Sequence, residues 1–186
     1  GGRRPPGLMV AAGGGGGGHG EPSVELELPD RLVLLKPPGW EVYAKAPGED
    51  APGPALLTHL KAAAGAGRQR PLLGDVAHTH GFLHRLDVPS SGLILVAMTY
   101  EAYYDAKLQL SAGQLARDYL VAGHGWCPPA RREVDGPVRT PEGLPGSVGR
   151  GGKPATTRLR VLAHASRRGE AWSVIAICIA TGRRHQ

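Results

Sequence analysis

The chain is poor in aromatic residues, with 3 Trp, 5 Tyr and a single Phe among 186 positions. Its core must therefore be built mainly from Leu, Val, Ile and Ala, which fill space by number rather than by size. Cysteine is scarcer still, since Cys127 and Cys178 are the only two. They form no CxxC pair, which argues against a disulfide scaffold and a zinc framework; an intracellular setting is expected, with cytoplasm, nucleus and organelle left unresolved. Long apolar runs are also missing. The longest, Val174–Ala180, is one strand's worth and far short of a bilayer span. Several catalytic signatures are absent too. There is no HExxH pair for a metal and no GxSxG elbow for a serine nucleophile, and the glycines at 13–18 lack the Lys-Ser/Thr end of a phosphate loop.

What the chain has in excess is Gly and Pro, 46 in all (29 + 17), gathered into particular segments. The opening GGRRPPGLMVAAGGGGGGHG is basic and acid-free, as organelle transit peptides are, but it has no serine. Residues 1–23 are read as a disordered Gly-rich tail and 24–186 as one folded domain. The formal charge of +6 favours a polyanionic partner through counterion release without identifying it.

Along the folded part, Val24, Leu26 and Leu28 alternate with polar neighbours, and Leu32–Leu35 follows as a second strand. Lys36-Pro37-Pro38-Gly39 ends that strand, because Pro cannot continue a ladder and Gly supplies the turn. Residues 46–54 read as a loop. Leu56, Leu57, Leu60 and Ala64 mark a short helix closed by Gly65 or Gly67. Leu93–Ala97 is a short apolar strand, and Thr99 caps a helix with Ala102, Ala106 and Leu110 on one face and Gly113 beyond its end. ARDYLVAG is the next strand, 128–154 an irregular connection with one short strand, and 156–163 and 171–180 a hairpin around HASRRGE. Strands outnumber helices and most joins are short, so the expected class is α+β with a mixed, largely antiparallel sheet flanked by short helices.

The chemistry-bearing stretch is HTHGFLHRLDVPSSGLILVAMT, from His78 to Thr99. Asp87 stands before a Pro-Ser-Ser-Gly turn and an apolar strand, which suits either a turn former or a partly buried carboxylate acting as nucleophile or base. The second role needs a nearby cation to keep it ionised. Arg85 competes with it for one face of an extended segment, so a basic residue from elsewhere, such as Arg183, is the better partner. His78, His80 and His84 lack a second ligand cluster, which argues against metal. Ser90 and Ser91 lie too near Asp87 in sequence to build a triad with it.

HGFLHRLDVPSSGLILVAMT closely resembles the signature of RluA-type RNA pseudouridine synthases, roughly His-Arg-Leu-Asp, a short variable gap, Thr/Ser-Ser-Gly and an apolar strand. RLVLLKPPGWEVY is similar to the family's Lys-Pro-x-Gly segment, ARDYLV to its tyrosine segment and TGRRHQ to its Thr-Gly-Arg-x-His-Gln motif, all in the family's order. The resemblance implies that Asp87 is the catalytic aspartate converting uridine in RNA to pseudouridine. Covalent attack and removal of a sugar proton both remain open for it. Tyr119 would pack on the uracil, and Arg183 would pair with Asp87. Arg85, His84, Arg184 and His185 would contact RNA, which is a structured tRNA or rRNA. No metal, organic cofactor or membrane is implied, and a monomer is expected. Pro89 and Met98 depart from the family's usual residues, and the family pattern continues past TGRRHQ, so a catalytic domain cut short at its C-terminus is expected. The alternative is an inactive RNA-binding relic of the same fold.

Overall fold

The computed structural model describes residues 20–43, 54–64, 70–139 and 147–179. The chain divides into two compact units, with the boundary between Tyr104 and Asp105. Most of the Gly-rich tail, residues 1–19, lies outside the described residues, as does most of the expected loop at 46–54.

The first unit is organised by alternation. Strand β1 (Ser23–Glu27) pairs antiparallel with β2 (Arg31–Lys36), and β2 pairs antiparallel with β3 (Gly92–Ala97). Along β2 every second residue is buried: Leu32, Leu34 and then Lys36. β3 contributes Ile94 and Val96 to the same interior. Helix α1 (Leu56–Ala64) adds Leu56 and Leu60, and a 3-10 turn at Pro71–Gly74 adds Leu72 and Leu73. Phe82 is the aromatic at the centre of this aliphatic core. The two 3-10 turns, at 71–74 and 79–81, had no signal in the hydrophobic period.

Helix α2 (Tyr100–Ser111) spans the unit boundary. Thr99 caps it as expected, its hydroxyl accepting the Ala102 amide at 3.2 Å, and Gly113 follows at φ +69. Ala102 and Ala106 are buried, whereas Leu110 is half-buried and Tyr103 takes the remaining interior position.

The second unit carries a sheet in the order β4 (Asp118–His124), β9 (Glu170–Ile179), β8 (Thr156–Arg167), β5 (Glu133–Asp135), all antiparallel. A small pair, β6 (Val138–Arg139) with β7 (Ser147–Val148), stands beside it in sequence. Among its described residues the connection at 128–154 thus holds three short strands rather than the one expected, because two- and three-residue strands leave no readable period. The hairpin also differs from expectation. HASRRGE is mostly strand, and the reversal is confined to Arg168 and Gly169, both at positive φ (+53 and +83). That is the geometry of a two-residue hairpin turn. Together the units make an α+β fold, as the pattern of elements implied.

Candidate active site

Asp87 sits on a loop whose two flanks are tied down by backbone. Before it, Phe82 bridges to Val96 and the Leu83 amide donates to Leu95 O at 3.1 Å, so the chain runs briefly beside β3. This approach requires Gly81. Its φ is +82, and a Cβ there would lie 2.3 Å from the Ala97 carbonyl oxygen. After it, the Ser90 amide donates to Asp87 O at 3.0 Å and closes the turn that leads into β3. Leu86 faces inward while Arg85 and Asp87 on either side are exposed. The carboxylate is therefore at the surface, closer to the turn-forming than to the partly buried alternative, because the inward position of this segment belongs to Leu86.

The loop is anchored at the residue after Asp87. Val88 O accepts the Gly39 amide at 2.8 Å and the Lys36 ammonium at 3.3 Å. Lys36 Nζ also donates to Pro37 O at 3.0 Å and Trp40 O at 2.8 Å. Its side chain is fully buried, at 0% exposure. The cause is the parity of β2, in which Lys36 falls on the same face as Leu32 and Leu34. Burial pushes its pKa down, and the opposite charge of Asp87 works against that shift. Lys36 is thus a cation within electrostatic reach of Asp87, a residue that the sequence reading took only as the end of a strand. The parity of RLVLLK was the available signal.

The other predicted residues fall as follows. Arg85 is exposed, with its guanidinium 5.9 Å from the centre of the Tyr43 ring. His84 turns toward β3, its Nε2 accepting the Leu95 amide at 3.3 Å. His80, at φ +56, reaches Leu73 O through Nδ1 at 3.0 Å. His78 bonds the Asp75 carboxylate at 2.7 Å through Nδ1 and the Tyr104 hydroxyl at 2.9 Å through Nε2, with the Tyr100 and Tyr103 rings around it. Among the described residues no group of three or more His, Cys, Asp and Glu side chains is arranged to hold a metal ion.

Tyr119 belongs to the second unit, in β4, opposite Ile177 of β9, which in turn faces Leu159 of β8. Its ring is half-buried on that apolar face, and burial pushes the phenol's pKa up, with the Arg117 charge opposing. The structure thus gathers His84, Arg85 and Asp87 on one loop and carries Tyr119 on a different unit. Arg183, Arg184 and His185 lie outside the described residues. Among those described, no helix is long and apolar enough to cross a membrane.

The sequence matches the RNA pseudouridylate synthase family over residues 30–186. A ribosomal large subunit pseudouridine synthase D of Nitrosomonas europaea is 34% identical over 164 residues, covering 84% of this chain and 42% of that protein. One of the same description from Yersinia pestis is 31% identical, covering 84% and 44%. The chain spans less than half the length of these curated relatives. Among solved structures, human RNA pseudouridylate synthase domain containing 1 superimposes with a TM-score of 0.62 at 22% identity, over 89% of this chain and 62% of that one. That likeness concerns the fold.

Proposed function

The chain belongs to the RNA pseudouridylate synthase family, and on that premise we propose that it isomerises uridine in RNA to pseudouridine at Asp87. The observation that carries this reading is the seating of Asp87. An exposed carboxylate stands on a turn whose following carbonyl is held by the Gly39 amide and by the buried Lys36 ammonium. A reacting group gains most when its loop is fixed before substrate arrives, since misplacement by about 1 Å can cost roughly a hundredfold in rate.

The reaction breaks the bond from the sugar to N1 of uracil, turns the base and rejoins it through carbon. A proton leaves that carbon and one is gained at nitrogen, so atoms balance without an oxidant or reductant. Asp87 initiates it, by attack or by proton removal at the sugar. Lys36 supplies fixed positive charge beside the carboxylate from below, and Arg183 is the second cation. Tyr119 packs on the uracil. Burial keeps its hydroxyl protonated and so able to hand a proton at the base. Arg85, His84, Arg184 and His185 hold the RNA, from which the target nucleotide must be extruded to bring its glycosidic bond to Asp87. Residues 24–186 serve as the catalytic domain. The substrate is a structured RNA, and the relatives named for the large ribosomal subunit favour rRNA over tRNA.

The test is to quantify pseudouridine in rRNA incubated with the full protein and with its Asp87→Asn variant. Conversion by the former and none by the latter is expected; equal conversion by both removes Asp87 from the mechanism.

A further inference from the structure

The long hairpin of the second unit carries an irregularity with a consequence for charge. Arg160 and Arg167 are seven residues apart (167 − 160), an odd separation that in an even strand places side chains on opposite faces. The ladder of β8 on β9 shifts between Val161 and Ala163, leaving Leu162 as an extra residue. Arg160 therefore pairs with Ala176 and Arg167 with Glu170, six ladder positions apart (176 − 170) and so on one face. That face also carries Trp172, which stands between Ala165 of β8 and His124 of β4. The His124 ring lies over the Trp172 ring with centroids 3.6 Å apart.

A second irregularity lies at the tip. The two-residue turn is Arg168-Gly169, where positive φ at the first position favours Asn, Asp or Gly. An arginine there carries backbone strain, and strain of this kind clusters at functional sites. Arg167, Arg168, Glu170 and Trp172 line one open groove. Between Arg160 and this groove the face carries Ala163 and Ala165 on β8, Val174 and Ala176 on β9, and Leu120 and Ala122 on β4, an apolar floor without acidic side chains. From Arg160 to the tip the exposed arginines number three, against the single carboxylate Glu170. Arg158, farther along, is engaged with Glu133 at 3.8 Å.

We propose that this face is a track for a single-stranded segment of the RNA. Arg160, Arg167 and Arg168 meet its phosphates over about 20 Å, six strand steps of roughly 3.3 Å, and the Trp172–His124 pair takes a base by stacking. A row of cations beside an aromatic platform on an open sheet face is the chemistry of single-strand recognition. The inference rests on RNA being the substrate and adds to that reading a second stretch of the same RNA, held by the sheet face opposite Tyr119.

The experiment uses the full protein and two substrate RNAs, one with and one without a single-stranded extension. Replacing Arg160, Arg167 and Arg168 together by Ala should raise KM on the extended RNA on the order of tenfold. It should also lower the slope of log affinity against log salt by about 2, at roughly 0.7 for each phosphate no longer neutralised. The corresponding triple Lys variant should keep the slope, and Trp172→Ala should weaken binding without changing it. Trp126→Ala, on the opposite face against His164, serves as the control and should leave both unchanged. A triple Ala variant that melts like the wild type and retains its KM and salt slope overturns the track, including in favour of a protein ligand for this face. Failure of the wild type to form pseudouridine would instead overturn the functional reading on which the track rests.

Discussion

Replacing Lys36 by Met tests the anchor beneath Asp87, because Met keeps an unbranched side chain of similar reach and removes only the ammonium. Three hydrogen bonds disappear, to Pro37 O, Trp40 O and Val88 O. Bonds to a charged donor contribute about 1.5–3 kcal/mol each, or roughly 5–9 kcal/mol together. Burying the ammonium costs several kcal/mol, which the substitution relieves. The expected net loss is about 3 kcal/mol. For a chain of this size that lowers the melting temperature by about 6–12 °C, read by circular dichroism.

Because Val88 O retains only the Gly39 amide, the turn at Asp87 loosens, and kcat for pseudouridine formation should fall roughly ten- to a hundredfold. The pH dependence has a definite sign. Burial lowers the Lys36 pKa from its ordinary 10.5, with Asp87 opposing. Just below 10.5 the unfolded chain therefore binds more protons at this site than the folded one. Stability of the wild type relative to Lys36→Met should rise with pH through that window, and the burial penalty should be fully present below it. A variant melting within about 1 °C of the wild type, with unchanged kcat, would refute the account of Lys36 as an anchor.

Gly81→Ala should be far more damaging than its one added methyl suggests. The new Cβ meets the Ala97 carbonyl oxygen at 2.3 Å while φ stays at +82, so a loss above about 3 kcal/mol is expected in urea unfolding. A value under about 1 kcal/mol would contradict the close approach. Tyr100 donates to Asp75 at 3.0 Å, and that bond, with burial and the Asp75 charge, pushes its phenol above the ordinary 10.0. In Asp75→Asn, NMR titration of labelled tyrosines should show Tyr100 ionising at lower pH than in the wild type; an unmoved titration removes Asp75 as the cause.

Much of the fold was legible because its elements carry complete local signals. Thr99 and Gly113 bracket α2 with a cap and a left-handed exit, and the alternation in β2 and the apolar run of β3 each span a full strand. The motif around Asp87 was legible as a resemblance to a family signature, and the family match bears that resemblance out. Lys36 was not recognised, because a lysine before Pro-Pro-Gly looks like a strand terminus until its parity with Leu32 and Leu34 is counted. The bulge in β8 was hidden for a different reason. An inserted residue changes which side chains share a face without changing composition, so only the partner strand reveals it. The strands between Glu133 and Val148 are too short for any period to appear.

The bond from Lys36 to Val88 O closes across 52 residues of chain. An anchor of that sequence separation cannot form during local folding; it waits until β2 and β3 have found each other, and such non-local closures come late and slowly. A nascent chain on the ribosome would thus carry Lys36 long before Val88 has been synthesised, with the aspartate's turn still unformed. The seating of Asp87 should then arrive together with the sheet, in one cooperative step.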